Sequence, residues 1–321
     1  MLATVVGTRG STYRKPGARM ILVGNGTRVG VVSGGCLEAD VARRAWFLKS
    51  PGEAELVRYD TGTGDDATYE FGLGCRGVVE VLLERLETSS DPPIIRALRT
   101  AVFDRRTVKL ATFIRGSRIG ERVDLDGCRC DAAADEDAVL EVVAPPVQLI
   151  IFGSGIDVAP AIRIANAMGW QTLVIDHRLH AANVADASRT LLANASAWTQ
   201  SATIDAHTAA VVMTHRMNDD AAYLGSLVGT AVAYVGCLGP ASRTTALFDQ
   251  LAIDGVAVDP AFRAKVHAPV GLDLGGERPE EIALAIIAEM QAALNGRPAG
   301  RLSDRDGPIH AADPSAGVLI G

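Results

Sequence analysis

Two cysteines sit in glycine-framed runs, Ser33-Gly34-Gly35-Cys36-Leu37-Glu38 and Gly72-Leu73-Gly74-Cys75-Arg76-Gly77. A thiolate is a nucleophile and a soft metal ligand, and glycine neighbours let a bulky planar ligand approach the backbone. Cys36 falls where a strand gives way to a helix. A helix N-terminus favours thiolate there, whereas Glu38 and Asp40 oppose it. Upstream, Arg14, Lys15 and Arg19 suit a phosphate, held by point charges or guanidinium forks; a solvated turn is the competing reading. A second kind of chemistry is written in Gly153-Ser154-Gly155, which follows an apolar run and precedes a helical pattern. Bare glycine backbone at that place lets a pyrophosphate reach the helix amides. Asp176 lies 23 residues after Gly153, where a carboxylate accepts hydrogen bonds from the ribose hydroxyls of an adenosine. Val158 occupies the third small-residue position of that fingerprint, and the neighbouring Asp157 carboxylate competes with phosphate. His215, within Thr214-His215-Arg216, and His267 fall near strand ends and border the same crevice, with capping and turn formation as the alternative.

The elements that must position these groups divide into two rhythms. The first half alternates short extended runs with turn signals: Leu2 to Gly7, Ser11 to Gly17, Ala18 to Val23 and Arg28 to Ser33. Leu37 to Lys49 changes to helical period, with Leu37, Val41, Ala45 and Leu48 on one stripe. Strands are expected at Leu56 to Tyr59, Val78 to Leu83, Val108 to Ile114 and Val139 to Val143, with a helix from Pro92 to Arg105 and a loop from Asp131 to Asp137. This is an α+β domain over residues 1–143. Ala144, Pro145 and Pro146 break it, because paired prolines remove amide donors.

A β-α-β rhythm follows. Strands are expected at Val147 to Phe152, Thr172 to Ile175, Ala210 to Met213 and Val232 to Val235. Helices are expected at Asp157 to Met168, Asp219 to Val228, Ser242 to Leu251 and Pro279 to Leu294. The fold class is therefore α/β: the α+β domain, then a Rossmann-like parallel-sheet domain over 147–296 and an extended tail over 297–321.

Composition narrows the function classes. With 321 residues and 48% hydrophobic content the chain can bury two cores. A net charge of -7, with Lys and Arg interspersed, gives no basic face for nucleic acid. No apolar run approaches the roughly 18 residues of a membrane span, and Met1 to Thr8 is too short for a signal-peptide core, so a cytoplasmic protein is expected. The five cysteines, Cys36, Cys75, Cys128, Cys130 and Cys237, are odd in number and scattered, and read as thiols. Cys128 and Cys130 are spaced too closely for a structural zinc pair and have no second pair.

With these residues in view, the chain resembles the XdhC/CoxI family of accessory proteins, which handle molybdenum cofactor for xanthine dehydrogenase-type and carbon monoxide dehydrogenase-type enzymes. The resemblance rests on Gly10-Ser11-Thr12-Tyr13-Arg14, Pro16-Gly17-Ala18-Arg19-Met20 and the two cysteine runs. In the second half it continues through Gly153-Ser154-Gly155, Thr214-His215-Arg216, His267-Ala268-Pro269-Val270-Gly271-Leu272-Asp273, the Pro279-Glu280-Glu281-Ile282-Ala283 helix start and Gly307-Pro308-Ile309-His310. Three departures stand out. The family usually has a helix before the first strand, so the resemblance leaves open whether Met1 is the native start or an internal or truncated one. Arg76 stands where relatives often have glycine or asparagine, and Gly239 to Arg243 replaces a Gly-Ser-Arg-like run.

The resemblance implies a carrier without turnover of its own. Such a carrier binds molybdenum cofactor in its molybdopterin form, protects it during sulfuration with a cysteine desulfurase, and delivers it to a molybdenum hydroxylase apoenzyme. Cys36 is then the leading molybdenum ligand and Cys75 a second ligand or sulfur relay, with Gly34, Gly35, Glu38, Arg14 and Arg19 as cofactor contacts. Gly153, Gly155, Asp176, His215 and His267 are the expected contacts in the second domain, for cofactor, NAD(P) or another adenine nucleotide. A homo-oligomer is compatible with the sequence. The rival reading is an NAD(P)-dependent oxidoreductase, which needs a proton-transferring group beside the hydride acceptor; His215 and His267 show no partner in the sequence for that task. A thiol redox sensor using Cys36 and Cys75 is a third reading.

Overall fold

The computed structural model describes residues 1–10, 12–48, 50–60, 77–87, 91–126 and 137–306. The chain forms two compact units that part between Ala144 and Pro145.

The first unit is built on a five-stranded sheet of β1 (Leu2–Gly10), β2 (Arg19–Leu22), β3 (Arg28–Gly30), β4 (Ala54–Asp60) and β5 (Gly77–Glu84). Its order is β3-β2-β1-β5-β4, and every neighbour is antiparallel. The expected extended run from Ser11 to Gly17 is instead a turn over its described residues, because Gly17 takes a left-handed φ of 90° and its amide donates to Val5 O at 2.8 Å. Helix α1 (Glu38–Ala45) is shorter than its apolar stripe predicts, ending before the exposed Trp46 and Phe47.

A second sheet, β7-β6-β8, comprises β6 (Val108–Phe113), β7 (Arg122–Asp124) and β8 (Ala138–Val143). Helix α2 (Pro93–Arg99) continues into a π turn at Thr100–Asp104. Strand β1 is buried from Leu2 to Gly7 because both its faces are covered there. Ala3 and Val5 pack with Val41 of α1, Leu2 packs with Ile94 and Leu110, and Val6 packs with Ile114 and Val139.

The second unit carries a six-stranded parallel sheet. Its elements in chain order are β9 (Gln148–Phe152), α3 (Val158–Ala167), β10 (Gln171–Asp176), β11 (Arg189–Leu192), β12 (Thr208–Val212), α4 (Met217–Ser226), β13 (Tyr234–Cys237), α5 (Ala241–Ile253), α6 (Pro260–Arg263), β14 (Val266–His267) and α7 (Pro279–Leu294). The order β11-β10-β9-β12-β13-β14 is the dinucleotide-fold order counted from β9, with the topological switch between β9 and β12. Alternate residues of β9 serve opposite faces: Leu149 and Ile151 pack on α3 and α7, Ile150 and Phe152 on α4 and α5. Strands β11 and β14 escape sequence reading because one is a largely exposed edge strand and the other spans two residues. Strand β13 begins two residues later than its apolar run and takes in Gly236 and Cys237.

Gly153 fixes the turn from β9 to α3. It has φ 122°, and a Cβ there would lie 2.6 Å from Met213 O and 2.9 Å from Met213 C, both backbone atoms at the end of β12. Gly153→Ala is therefore expected to lower stability by about 2–4 kcal/mol, from backbone strain plus overlap. A shift of the urea midpoint followed by tryptophan fluorescence measures it, and an unchanged midpoint would show that this turn can relax.

Candidate functional site

The connection from β3 to α1 carries Cys36. Glu38, at the first turn of α1, is 6% exposed and turns its carboxylate back over the loop. Its Oε1 accepts from the amides of Val32 at 3.1 Å and Ser33 at 2.7 Å, and its Oε2 accepts from the Ser33 hydroxyl. Ser33 Oγ in turn accepts from the amides of Gly35 at 3.2 Å and Leu37 at 3.1 Å. Amides of the loop that leads into α1 are thus satisfied by two side chains. Burial pushes the Glu38 carboxyl up, but the hydrogen bonds from Ser33 and the loop amides outweigh it and hold the group below the ordinary range. Glu38, expected as a cofactor contact, instead holds the loop's shape.

Cys36 itself is half-buried, with its thiol donating to Ser33 Oγ at 3.4 Å. Gly35 has φ 111° and open space where a Cβ would stand, so the backbone beside the thiol is bare. Cys237, by contrast, is buried in the second unit, and burial followed by the charge of Asp220 pushes its thiol up to about 12. It is an inert core residue. Cys75, Arg76, Cys128, Cys130 and the run Gly307 to His310 lie outside the described residues.

The turn between β1 and β2 stands against this loop. A methyl group built on Gly34 would touch three ring carbons of Tyr13 at 3.4–3.6 Å. Arg14 and Lys15 project from the same turn, exposed and without an ion-pair partner among the described residues. Arg19 is different. It donates to Gly17 O at 3.0 Å and to Glu141 Oε1 at 3.0 Å, and its Nε is buried without a partner. Its guanidinium belongs to a buried charge cluster rather than to an open phosphate site. The structure therefore gathers Tyr13, Arg14, Lys15, Gly34, Gly35 and Cys36, and it diverts Arg19 and Glu38. Tyr13 lies in the Gly10 to Arg14 run without an expected role; its signal is an aromatic residue next to two cations in a turn.

In the second unit the expected crevice residues do meet, and they satisfy one another. Asp176 ends β10, and its carboxylate accepts from Ser154 Oγ at 3.0 Å, the Arg178 amide at 3.1 Å and Arg216 Nη2 at 3.1 Å, leaving the side chain 4% exposed. Arg216 also pairs with Asp219. His215, at φ 62°, brings its Nε2 within 2.8 Å of Asp157 Oδ2 in front of α3, while Asp157 Oδ1 is buried without a partner. Ribose hydroxyls would have to displace Arg216 to reach Asp176, and a pyrophosphate at the mouth of α3 would face Asp157. Val158 is fully buried in the core between helix α3 and the sheet.

His267 lies on β14 and stacks on Tyr234, with ring centroids 4.3 Å apart, and its Nδ1 is 3.0 Å from Glu289 Oε1. Tyr234 OH and the Gly271 amide donate to Glu289 Oε2. Both histidines thus have the carboxylate partners that the sequence leaves invisible. A cavity of about 260 Å³ opens among His177, Asn194, Ser196, Asp219 and Tyr223.

Comparison with known proteins agrees with both halves. Residues 1–60 match the XdhC and CoxI family, and residues 149–290 match the XdhC Rossmann domain. The chain belongs to the XdhC/CoxI family. Among family relatives, it is 29% identical over 313 residues to a probable xanthine dehydrogenase subunit of Bacillus subtilis (strain 168), covering 90% of this chain and 92% of that one. It is 26% identical over 298 residues to the molybdenum cofactor insertion chaperone PaoD of Escherichia coli (strain K12), covering 90% and 82%. A crystal structure described as a xanthine dehydrogenase from Bacillus halodurans superimposes with a TM-score of 0.76 at 26% identity, covering 95% and 93% of the two chains. The XdhC/CoxI-type runs Thr12 to Met20 and Ser33 to Glu38 are the ones that the first unit's fold draws together. No helix among the described residues is long and apolar enough to cross a membrane.

Proposed function

We propose that this chain is a cytoplasmic carrier of molybdenum cofactor, which it holds while a cysteine desulfurase installs the terminal sulfur and then delivers to the apoenzyme of a molybdenum hydroxylase. The observation that supports this reading best is the half-exposed Cys36 thiol on a bare glycine loop, with the exposed cations Arg14 and Lys15, which have no ion-pair partner among the described residues, on the adjoining turn. The donor set suits the cargo. A soft thiolate fits molybdenum, and two cations fit a phosphate. Among the described residues no group of three or more His, Cys, Asp or Glu side chains could hold a metal ion, which suits a cofactor whose dithiolene brings its own sulfur ligands. The names of the relatives, a molybdenum cofactor insertion chaperone and a xanthine dehydrogenase subunit, point the same way.

A second reading has one observation in its favour. In the neutral tautomer whose Nδ1 donates to Glu289, His267 would present an Nε2 lone pair, which a nicotinamide-dependent oxidoreductase could use as a base. One experiment separates the two. The full chain, co-expressed with a supply of the cofactor and purified, is expected to carry molybdenum and pterin by metal analysis and absorbance, and to reduce no NAD(P). Protein that is free of both but turns over nicotinamide with a substrate would overturn the carrier reading.

A further inference from the structure

Resting on the carrier reading and extending it to the organic part of the cargo, we infer that Tyr13 is the platform on which the cofactor's planar pterin ring stacks. Tyr13 is 68% exposed, so most of its ring is open to solvent. Three adjacent ring carbons, Cγ, Cδ2 and Cε2, lie 3.4–3.6 Å from the position of a Cβ on Gly34, so the ring lies flat over the glycine backbone rather than meeting it edge-on. Its hydroxyl has no partner among the described residues. The ring is thus fixed from one side and open on the rest.

The surroundings define the occupant. Arg14 and Lys15 follow Tyr13 directly, exposed and without an ion-pair partner among the described residues, so they suit a ligand with an anionic substituent. Gly34 packs under the ring and Gly35, next to Cys36, has open space where a Cβ would stand, so the backbone between the ring's contact and the thiol carries no side chain. A planar heteroaromatic ring with an anionic tail and a soft metal-binding edge meets all three features. Stacking is tolerant of ring substituents because it uses the π face. The pterin's identity would then be read by its flatness and charge rather than by a set of ring hydrogen bonds.

The test uses the full chain and pterin-6-carboxylate, a fluorescent pterin with one anionic substituent and no metal. Titration with the wild-type protein is expected to quench the fluorescence saturably. Tyr13→Ala should weaken the affinity by about tenfold or more, while Tyr13→Phe stays within about twofold, since base-aromatic stacking is of that size. Unchanged thermal melting and unchanged reaction of Cys36 with a thiol reagent would show that the loop is intact in the alanine variant. Should that variant fail to fold, Tyr13→Leu keeps apolar cover over Gly34 without a π face and is expected to lose the ligand likewise. No quenching by wild type, or equal affinity in wild type and the alanine or leucine variant, overturns the inference. Molybdenum retention by the co-expressed protein reports separately on the carrier reading. Pterin affinity that depends on Tyr13 without molybdenum retention leaves the platform standing and removes the carrier; molybdenum retention with Tyr13-independent pterin affinity does the reverse.

Discussion

Cys36→Ala is expected to leave the fold intact and to cost the protein most of its bound molybdenum and pterin. The structural loss is small. The thiol is half-buried at the margin of a core that includes Leu37 and Val41, and its one hydrogen bond is a weak 3.4 Å contact to Ser33. Ser33 and Glu38, which shape the loop, keep all their amide partners in the variant. A destabilisation of about 1 kcal/mol or less follows. The functional loss is large because alanine's methyl group offers no lone pair to a soft metal. Molybdenum and pterin per protein should fall by about tenfold or more, on the order of 1.4 kcal/mol or more of binding free energy. The measurement is metal and pterin content after co-expression, alongside circular dichroism melts. Cys128→Ala, outside the family motifs, is the matched control. Full retention in Cys36→Ala would pass the ligand role to Cys75, and full retention in the double variant would end the thiolate account.

Arg122→Met is expected to have the largest effect on stability of any surface-distant change in the first unit, a loss of about 3–5 kcal/mol at neutral pH. The Arg122 side chain is 2% exposed and forks onto Glu84, with Nη2 2.8 Å from Oε2, while its Nε donates to Glu141 at 3.0 Å. Glu141 also accepts from Thr112 Oγ1 and from Arg19 at 3.0 Å. The cluster ties β5 and β2 of the first sheet to β7 and β8 of the second. Removing the guanidinium strands two buried carboxylates, with Arg19 and the Thr112 hydroxyl still donating to Glu141.

The pH dependence gives a signature. Burial already pushes the Glu84 carboxyl above its ordinary range even with Arg122 beside it, and loss of Arg122 raises it further. A carboxyl whose folded pKa exceeds its unfolded one favours the fold most when protonated. Its penalty therefore grows as pH rises through the folded value and shrinks as pH falls back toward the unfolded one. The gap between variant and wild type, measured by urea midpoints, should accordingly narrow on acidification from neutral pH. A constant gap would mean that lost packing, not stranded charge, is the cause.

Local patterns carry much of the architecture. The change from short alternating runs to β-α-β rhythm predicts a parallel sheet, because buried strands and amphipathic helices write their periods into neighbouring residues. The glycine turn after β9 is legible for the same reason: only glycine tolerates φ 122° with backbone at 2.6 Å from its missing Cβ. The cysteine loops and their motifs are equally plain, since each is a contiguous run. The short edge strands β11 and β14 are not, because four partly polar residues and two residues carry no usable period.

What the sequence cannot assign is which charge meets which. Arg14, Lys15 and Arg19 read alike, yet sheet pairing sends Arg19 to Glu141, 122 positions away, and leaves the other two in solvent. A guanidinium taken from water needs a carboxylate, and the register of two sheets decides whether one is present. Asp176 reads as a ribose acceptor, and tertiary structure gives it to Ser154 and to Arg216, 40 positions on. Tyr13 and Gly34 read as separate motifs, and only the folding of β1, β2 and the loop before α1 lays the ring over the glycine. Sequence alone determined the two folds and the cysteine loop; tertiary structure decided which motif residues stay open to a ligand, because burial consumes every charge that the sheets can pair.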